Sequence, residues 1–458
     1  MLFDENNYTD EYMETEDGKF PYRAYRGIIF ADKPVDGFHT MNIYAPSAYY
    51  RGESINGYTL KTVPIFMPNS VGGYFPCSTD EPCQSNTIRL ALLHGYVVAS
   101  PAIRGRTLKD KDGKNCGKAP ACIVDYKAAV RYLHRFAELI PGDDKKIVTN
   151  GTSAGGALSC LMGVTGNHPD YEKYFGEIGV DSGDDSVFAA SCYCPITNLD
   201  HADCAHEWQF DGIYDYHRSE MYMSEGGRPI FTPVDGMMDD MRIRISKEES
   251  ALFPAYLNSL NLKDENGKAL TLDENGNGSF KEYVKSVILS SAQKALDKGE
   301  DLSRQGWLTV KEGKAVAMDF KGFAADITRM KLAPAFDDVT MTSPENHLFG
   351  NRDNDFAHFT QYSAAHSSVN VITADKRVIK LLNPMYYIGD ERAKTAKHFR
   401  IRHGECDRDT SIAISAILTL KLKEIGCNVD YASPWNIPHA GDYDLDELFA
   451  WIDDICVN

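Results

Sequence analysis

The feature that most constrains the fold is the Gly-x-Ser-x-Gly motif at residues 151–155, the only one in the chain. Residues 146–149 before it read as a strand that ends at Asn150, and the apolar run 156–162 after it reads as a helix. A strand, a tight turn and a helix in this order are typical of a nucleophile elbow, whose strained turn exposes a serine hydroxyl. The sequence therefore predicts Ser153 as a nucleophile. The alternative is a serine in a glycine-flanked loop.

An elbow also places a backbone N–H at the start of its helix, where that group can stabilise an oxyanion. Here the N–H belongs to Ala154. A second N–H is expected from the loop after the third strand. Residues 62–67 read as that strand, and the next loop contains Gly72 and Gly73, between which the sequence does not choose. A plain turn is the alternative for this loop.

The order of residues along the chain identifies a candidate general base. In α/β-hydrolases the serine is followed by an acid and then by a histidine. A strand at 398–403, a polar loop, a helix at 410–425, a last strand at 428–432 and a final loop follow this order. His439 lies in the final loop and is the only histidine beyond His403. The alternative for His439 is a surface histidine hydrogen-bonded to Asp442.

The candidate acid lies in the polar loop, which contains Glu405, Asp407 and Asp409. Asp407 is one short loop past the strand, where a carboxylate can reach a histidine of the next strand and hold its tautomer. Asp409 stands where a helix N-cap belongs and could accept backbone N–H groups of the first turn. The sequence therefore favours Asp407 as the acid.

The alternation of strands and helices around the elbow predicts an α/β protein with a mostly parallel central sheet. The alternation stops between about residues 200 and 397, where the chain is aromatic, polar and helix-rich. We interpret residues 1–199 and 398–458 as an α/β-hydrolase core. Residues 200–397 are interpreted as a large inserted cap, or lid, domain over its catalytic end. An unrelated regulatory domain is the alternative for the insertion.

The bulk composition argues against several classes of protein. A net charge of −18 disfavours binding to nucleic acid and to anionic membranes. No apolar stretch approaches transmembrane length, and residues 1–3 lead into acidic residues without a signal-peptide pattern. Eleven cysteines without a C-x-x-C pair argue against zinc and favour a cytoplasmic location, with secretion by another route as the alternative. No metal or cofactor is expected, and the oligomeric state is not predicted.

The motifs together resemble those of bacterial tannases of the α/β-hydrolase superfamily, over most of the chain. The resemblance rests on residues 151–156, the Asp407-Arg408-Asp409 triplet, His439 and the large cap. It extends to residues 329–331 and 343–346, which resemble cap segments that line a galloyl pocket. It implies a triad of Ser153, Asp407 and His439, and it implies that the phenolic hydroxyls of gallate are bound by Asp409, Lys331 and Glu345. Without it, Lys331 reads as a solvated lysine and Glu345 as a first-turn residue of a short helix.

The resemblance implies a serine esterase that cleaves galloyl esters, such as hydrolysable tannins and alkyl gallates, through an acyl-enzyme. Its partner would be a small phenolic ester. Thr152 and Ala440 stand where fungal tannases and feruloyl esterases often have cysteines, so the chain departs from that pattern. A feruloyl or general carboxylesterase is an alternative, as is a peptidase of the prolyl-oligopeptidase type, although the chain shows no propeller repeat. A non-catalytic binding protein with a hydrolase fold is a further alternative.

Overall fold

The computed structural model describes residues 2–16, 18–35, 37–223 and 229–457. The strands in chain order are β1 (Thr9–Thr15), β2 (Gly18–Ile29), β3 (Thr40–Pro46), β4 (Pro64–Pro68), β5 (Val97–Pro101), β6 (Asp143–Thr152), β7 (Ala189–Tyr193), β8 (Asp215–Met223), β9 (Pro229–Met237), β10 (Leu308–Lys311), β11 (Lys314–Met318), β12 (His398–Arg402) and β13 (Asn428–Ala432).

The helices in chain order are α1 (Asn86–His94), α2 (Ala121–Arg135), α3 (Ala154–Val164), α4 (Glu172–Ile178), α5 (Leu199–Gln209), α6 (Asp240–Ser259), α7 (Ser279–Asp297), α8 (Phe320–Ile327), α9 (Pro344–Leu348), α10 (Gln361–Ala365), α11 (Lys376–Leu381), α12 (Ile412–Glu424) and α13 (Leu445–Val457). Short 3₁₀ turns occupy Ser47–Arg51, Pro169–Tyr171 and Pro384–Tyr386.

A nine-stranded sheet organises the chain, in the order β1-β2-β3-β5-β4-β6-β7-β12-β13. The pairs from β5 to β13 are parallel, and the pairs from β1 to β5 are antiparallel. The strands β4, β5 and β7 are buried along their whole length, as expected for strands that helices cover on both faces. The predicted α/β fold with a mostly parallel sheet is confirmed.

The long segment between β7 and β12 contributes no strand to the nine-stranded sheet among its described residues. β7 and β12 nevertheless pair directly and in parallel, from His398 opposite Ala189 to Arg402 opposite Tyr193. The segment has apolar contacts of its own, in which Trp208 packs against Phe253 and Phe320. Residues 224–228 of the segment lie outside the described part.

The segment contacts the core in two places, at helix α12 and, through residues such as Phe336, Leu348 and Tyr387, in the main hydrophobic cluster of the sheet. Buried side chains of α12, from Ile412 to Leu420, share one hydrophobic cluster with Trp208, Phe253 and Phe280. Helix α12 follows the loop that contains Asp407, so the segment contacts the element next to that loop. None of the helices in the described part of the chain combines the length and the apolarity that crossing a membrane requires.

Candidate active site

Ser153 occupies the sharp turn that the motif predicts. Strand β6 ends at Thr152, helix α3 begins at Ala154, and Ser153 between them has φ 61° and ψ −120°. A non-glycine residue with positive φ is uncommon and persists only where its surroundings enforce it. The Ser153 N–H donates to the Tyr193 carbonyl at 2.9 Å, and the Ser153 carbonyl accepts from Ile196 N–H at 3.2 Å. The turn is therefore held by the end of β7.

Three glycines allow this turn to pack. A Cβ added to Gly155 would lie 2.5 Å from Asn69 Oδ1, and one added to Gly156 would lie 2.5 Å from the Tyr193 carbonyl oxygen. A Cβ at Gly151 would collide with the Gly155 carbonyl. Side chains at these positions would push the strand and the helix apart, so the glycines are steric requirements of the elbow.

His439 and Asp407 are brought together although they lie on separate loops. His439 Nδ1 is 2.8 Å from Asp407 Oδ2. Asp442 is engaged elsewhere, since its carboxylate accepts hydrogen bonds from Asn150 at 2.9 Å and Thr87 at 2.7 Å. The alternative of a surface histidine bonded to Asp442 is therefore wrong.

The loop of His439 packs directly on the elbow. A Cβ added to Gly441 would collide with the side chain of Thr152, the residue before Ser153. The bond from Asn150 to Asp442 ties the same loop to strand β6. The histidine loop and the serine turn are thus fixed to each other.

Asp407 is set up to remain ionised in a buried place. Its Oδ1 accepts hydrogen bonds from the N–H groups of Asp409 at 2.9 Å and Thr410 at 3.2 Å. Burial alone would raise the pKa of Asp407, but the neighbouring histidines, above all His439, and these hydrogen bonds hold it at about 2. Burial likewise opposes the charged form of His439, yet the Asp407 carboxylate raises the pKa of His439 well above its ordinary value.

Asp409 does not cap helix α12. Ser411 is the N-cap, and its side chain accepts from the Ala413 N–H at 3.2 Å. Asp409 instead lies 2.9 Å from Lys331 Nζ. The N-cap alternative for Asp409 is therefore wrong, because the helix begins two residues later than the sequence suggests.

Lys331 is held in place from several sides. Its ammonium lies 3.8 Å from the centre of the Phe336 ring, and its backbone carbonyl accepts from Arg329 Nε at 2.7 Å. Arg329 is itself fully buried and ion-paired with the buried Glu207. Burial disfavours the charge on Lys331, but Asp409 and Glu345 outweigh it and raise the pKa of Lys331. The reading of Lys331 as a freely solvated lysine is wrong.

Glu345 is a first-turn residue of α9, and it is also buried at 3% exposure. Its Oε2 atom is buried without a hydrogen-bond partner among the described residues. Burial raises the pKa of Glu345, although Lys331 acts in the opposite direction. An unpaired buried carboxyl oxygen is costly, and it leaves an acceptor, or a donor when protonated, for a bound ligand.

The predicted oxyanion loop lies against the elbow. The Gly155 N–H donates to the Val71 carbonyl at 2.9 Å, and the Asn69 side chain donates to the Gly155 carbonyl at 3.1 Å. Gly73 has φ 51°, which favours glycine, whereas a Cβ at Gly72 would meet nothing within 4 Å. Ala154 is the first residue of α3 and is fully buried. The structure thus brings the loop and the helix start together without choosing between the two glycines.

Cys194 is a nearby residue that the sequence analysis did not single out. Its Sγ lies 3.9 Å from His439 Nε2 and donates to the Ala440 carbonyl at 3.4 Å. Cys194, Asp407 and His439 form the one group within the described residues whose donor atoms lie close enough to hold a metal, within 4.8 Å. Asp407 and His439 are hydrogen-bonded to each other, and this bond explains why their side chains lie close together. No sequence signal marks Cys194, because its position depends on the pairing of β7 and β12.

Part of the chain is similar to a family model and to a curated relative. Residues 71–216 match the family model BD-FAE. A curated relative, Esterase LipQ of Mycobacterium tuberculosis (strain ATCC 25618 / H37Rv), is 28% identical over 118 residues. This match covers 25% of the present chain and spans about a quarter of that esterase, 27% of its length.

Solved structures match over almost the whole length. The tannase from Lactobacillus plantarum is 43% identical, with a TM-score of 0.97, covering 99% of this chain and 98% of that one. The Fusobacterium nucleatum tannase is 45% identical, with a TM-score of 0.94 and 99% coverage of both chains. A tannin acyl hydrolase solved in complex with ethyl gallate is 43% identical, with a TM-score of 0.94, covering 99% of this chain and 98% of that one.

Proposed function

This chain belongs to the tannase family of α/β-hydrolases, and we propose that it is a serine esterase that hydrolyses galloyl esters. The observation that carries this proposal is the link between two groups of residues. Asp407, bonded to His439 at 2.8 Å, also accepts the N–H of Asp409, whose carboxylate lies 2.9 Å from Lys331. A reaction centre and a polar recognition site are thereby joined by a stretch of three residues.

The ester bond is broken in two steps. Ser153 Oγ attacks the ester carbonyl carbon while His439 Nε2 takes the hydroxyl proton, and Asp407 holds the Nδ1–H tautomer and stabilises the imidazolium. The tetrahedral intermediate collapses, and the alcohol leaves with the proton from His439, so that a galloyl group remains on Ser153. Water then attacks this acyl-enzyme with His439 again as the base, which releases gallate and restores the serine.

The negative charge on the former carbonyl oxygen is stabilised by backbone N–H groups. One belongs to Ala154, at the start of α3, and a second belongs to Gly72 or Gly73. The contacts of Val71 and Asn69 with Gly155 support this assignment, because they fix the loop beside the helix start. Donors that are positioned in advance cost no reorganisation as the charge develops.

The galloyl ring is recognised through its three adjacent hydroxyls. Asp409 and Glu345 accept hydrogen bonds from phenolic O–H groups, and Lys331 donates to a phenol oxygen and favours its ionised form. The unpaired Glu345 Oε2 supports this role, since a buried acceptor gains a partner when the ring binds. The Phe336 ring beside Lys331 supplies an apolar surface at the same place.

Residues 200–397 act as the cap that supplies Lys331 and Glu345, while residues 1–199 and 398–458 form the catalytic core. The apolar contacts within residues 200–397, such as those of Trp208 with Phe253 and Phe320, support this division of roles. A cytoplasmic location stays part of the proposal, and the eleven free cysteines agree with it.

A substrate panel tests the proposed function. Purified protein is assayed with methyl gallate, methyl ferulate and p-nitrophenyl butyrate. A galloyl esterase has its highest kcat/KM on methyl gallate. A highest value on methyl ferulate would assign a feruloyl esterase, equal values would assign a general carboxylesterase, and no turnover of any ester would assign a non-catalytic binding protein.

Asp407→Asn is expected to lower kcat for methyl gallate by about 10⁴. The amide keeps the shape of the carboxylate, but it cannot stabilise the imidazolium and it favours the wrong tautomer of His439. Asp409→Asn is the matched control, because it changes a neighbouring carboxylate that is not bonded to His439. We expect Asp409→Asn to raise KM for methyl gallate while turnover of p-nitrophenyl butyrate persists. Reversed behaviour of the two variants would show that their roles are exchanged.

The low-pH limb of kcat/KM is expected above pH 6.5, the ordinary pKa of histidine. The general base must be neutral to accept the serine proton, and Asp407 raises the pKa of His439, so activity is lost as the pH falls through this raised value. The residual activity of Asp407→Asn should show its low-pH limb at a lower pH than wild type, because the negative charge that stabilises the protonated His439 is gone. A pH profile of kcat/KM for both proteins provides the measurement, and identical limbs would contradict the assigned pair.

A further inference from the structure

Arg106 contacts three consecutive residues of the oxyanion loop. Its Nε donates to the Gly73 carbonyl at 2.7 Å, and its backbone N–H donates to the Tyr74 carbonyl at 2.8 Å. Its guanidinium lies 4.0 Å from the centre of the Phe75 ring. The backbone approaches the loop just as closely, since a Cβ at Gly105 would collide with the backbone of Phe75.

The same guanidinium also reaches the cap. Arg106 Nη1 lies 2.7 Å from Nδ1 of His347, which is two residues beyond Glu345 on helix α9. Burial, with the charges of Lys118 and Arg106, lowers the pKa of His347 to about 4, so its imidazole is neutral and Nδ1 accepts this bond. Lys118 Nζ donates to the His347 carbonyl at 2.8 Å and fixes the backbone of α9 at this point.

The planar geometry of arginine makes this double contact possible. Nε and Nη1 point in different, fixed directions, so one side chain can bond the loop and the helix at once. A lysine ammonium has no such pair of directed donors. The charge of Arg106 also lowers the pKa of Glu345, in part opposing the effect of burial.

We infer that Arg106 is a positioning residue that sets the Gly72–Gly73 loop and helix α9 relative to each other. Two functions then depend on this one side chain. The first is oxyanion stabilisation, which the hydrolysis of every ester needs. The second is the placement of Glu345, which only galloyl esters need. The inference rests on the proposed function. It assigns to Arg106 an influence on both turnover and selectivity, although the assigned mechanism uses it in neither step.

Kinetics of Arg106→Ala on two substrates separate the effect on oxyanion stabilisation from the effect on galloyl recognition. We expect kcat for p-nitrophenyl butyrate to fall about 10–100-fold, because a donor displaced by about 1 Å stabilises the oxyanion poorly. We also expect KM for methyl gallate to rise about 10-fold, because helix α9 loses one of the bonds that position Glu345. His347→Ala removes the bond between Arg106 and helix α9, together with the stacking of His347 on Phe356, and leaves the bonds of Arg106 to the loop in place. It should therefore raise KM for methyl gallate with a smaller loss of kcat on p-nitrophenyl butyrate.

Two further variants keep the experiment decisive. Lys109→Ala removes an exposed cation from the same segment, paired with Asp355 at 3.2 Å, and should behave as wild type. Arg106→Lys keeps the charge without the directed donors and should resemble Arg106→Ala, which also covers the case in which the alanine variant fails to fold. Thermal denaturation identifies folded variants before kinetics are compared.

The inference is overturned if folded Arg106→Ala or Arg106→Lys keeps kcat on p-nitrophenyl butyrate and KM on methyl gallate within about twofold of wild type. Wild-type kcat and KM in Arg106→Lys would show that only the charge of residue 106 matters, and this result would also overturn the inference. Failure of the proposed function looks different, because wild type itself would then show no preference for methyl gallate.

Discussion

Ser153→Ala is expected to lose catalysis of galloyl ester hydrolysis by about 10⁴–10⁶ in kcat, since members of a catalytic triad act as a unit. The substitution removes one oxygen from a turn that glycines and the Tyr193 carbonyl hold in place, so the fold should be unaffected. Steady-state kinetics with methyl gallate and circular dichroism test the two halves of this expectation.

A fluorophosphonate reagent gives an independent readout of the nucleophile. It should label wild type at Ser153 and leave Ser153→Ala unlabelled, as found by mass spectrometry of the digested protein. Ser182→Ala is the matched control, because Ser182 is exposed and lies outside the site; its labelling and activity should equal those of wild type. Undiminished hydrolysis by Ser153→Ala would rule out the assigned triad.

The recognition site is expected to favour methyl gallate over methyl benzoate by up to about 10⁴–10⁵ in kcat/KM. A site built to hydrogen-bond hydroxyls rejects analogues that lack them, because its own buried polar groups are then left unpaired. Glu345 Oε2 is such a group, and Lys331 and Asp409 would lose their shared partner on the ring. Lys331→Ala and Glu345→Ala should each reduce the ratio of kcat/KM for methyl gallate to kcat/KM for methyl benzoate.

Turnover of p-nitrophenyl butyrate is the control for these two cap variants. This ester needs the triad and the oxyanion loop but has no acyl hydroxyl to recognise, so its hydrolysis should be largely retained. If both variants lose turnover of methyl gallate and of p-nitrophenyl butyrate equally, the two residues support the fold and do not bind the hydroxyls of the substrate. An unchanged preference for gallate in both variants would remove them from the recognition site.

The parts of the molecule that follow from local patterns could be predicted from sequence. The elbow at Ser153 depends on neighbouring residues, because a strand, three glycines and an apolar helix make the turn. The direct pairing of β7 with β12 also agrees with an insertion between two strands of one sheet. Chain order then left His439 as the candidate base, and the structure places its ring against Asp407.

The remaining site residues could not be derived from local patterns. Asp409 resembles an N-cap, and only the start of α12 after Ser411 shows that its carboxylate is available to Lys331. Lys331 and Glu345 came from the resemblance alone, since each is ordinary in its own stretch of sequence. No local sequence pattern marks Arg106, because its partners are a loop about thirty residues earlier and helix α9 of the proposed cap.

The most direct test of the central claim compares wild-type kcat/KM for methyl gallate and for its analogue with all three hydroxyls methylated. The two esters share the ring, the reacting carbonyl and the leaving group, and methyl benzoate controls for the added bulk. The account predicts fast cleavage of methyl gallate and loss of turnover for both the methylated and the unsubstituted ester. Similar kcat/KM values for all three would contradict recognition through the hydroxyls and leave a general esterase.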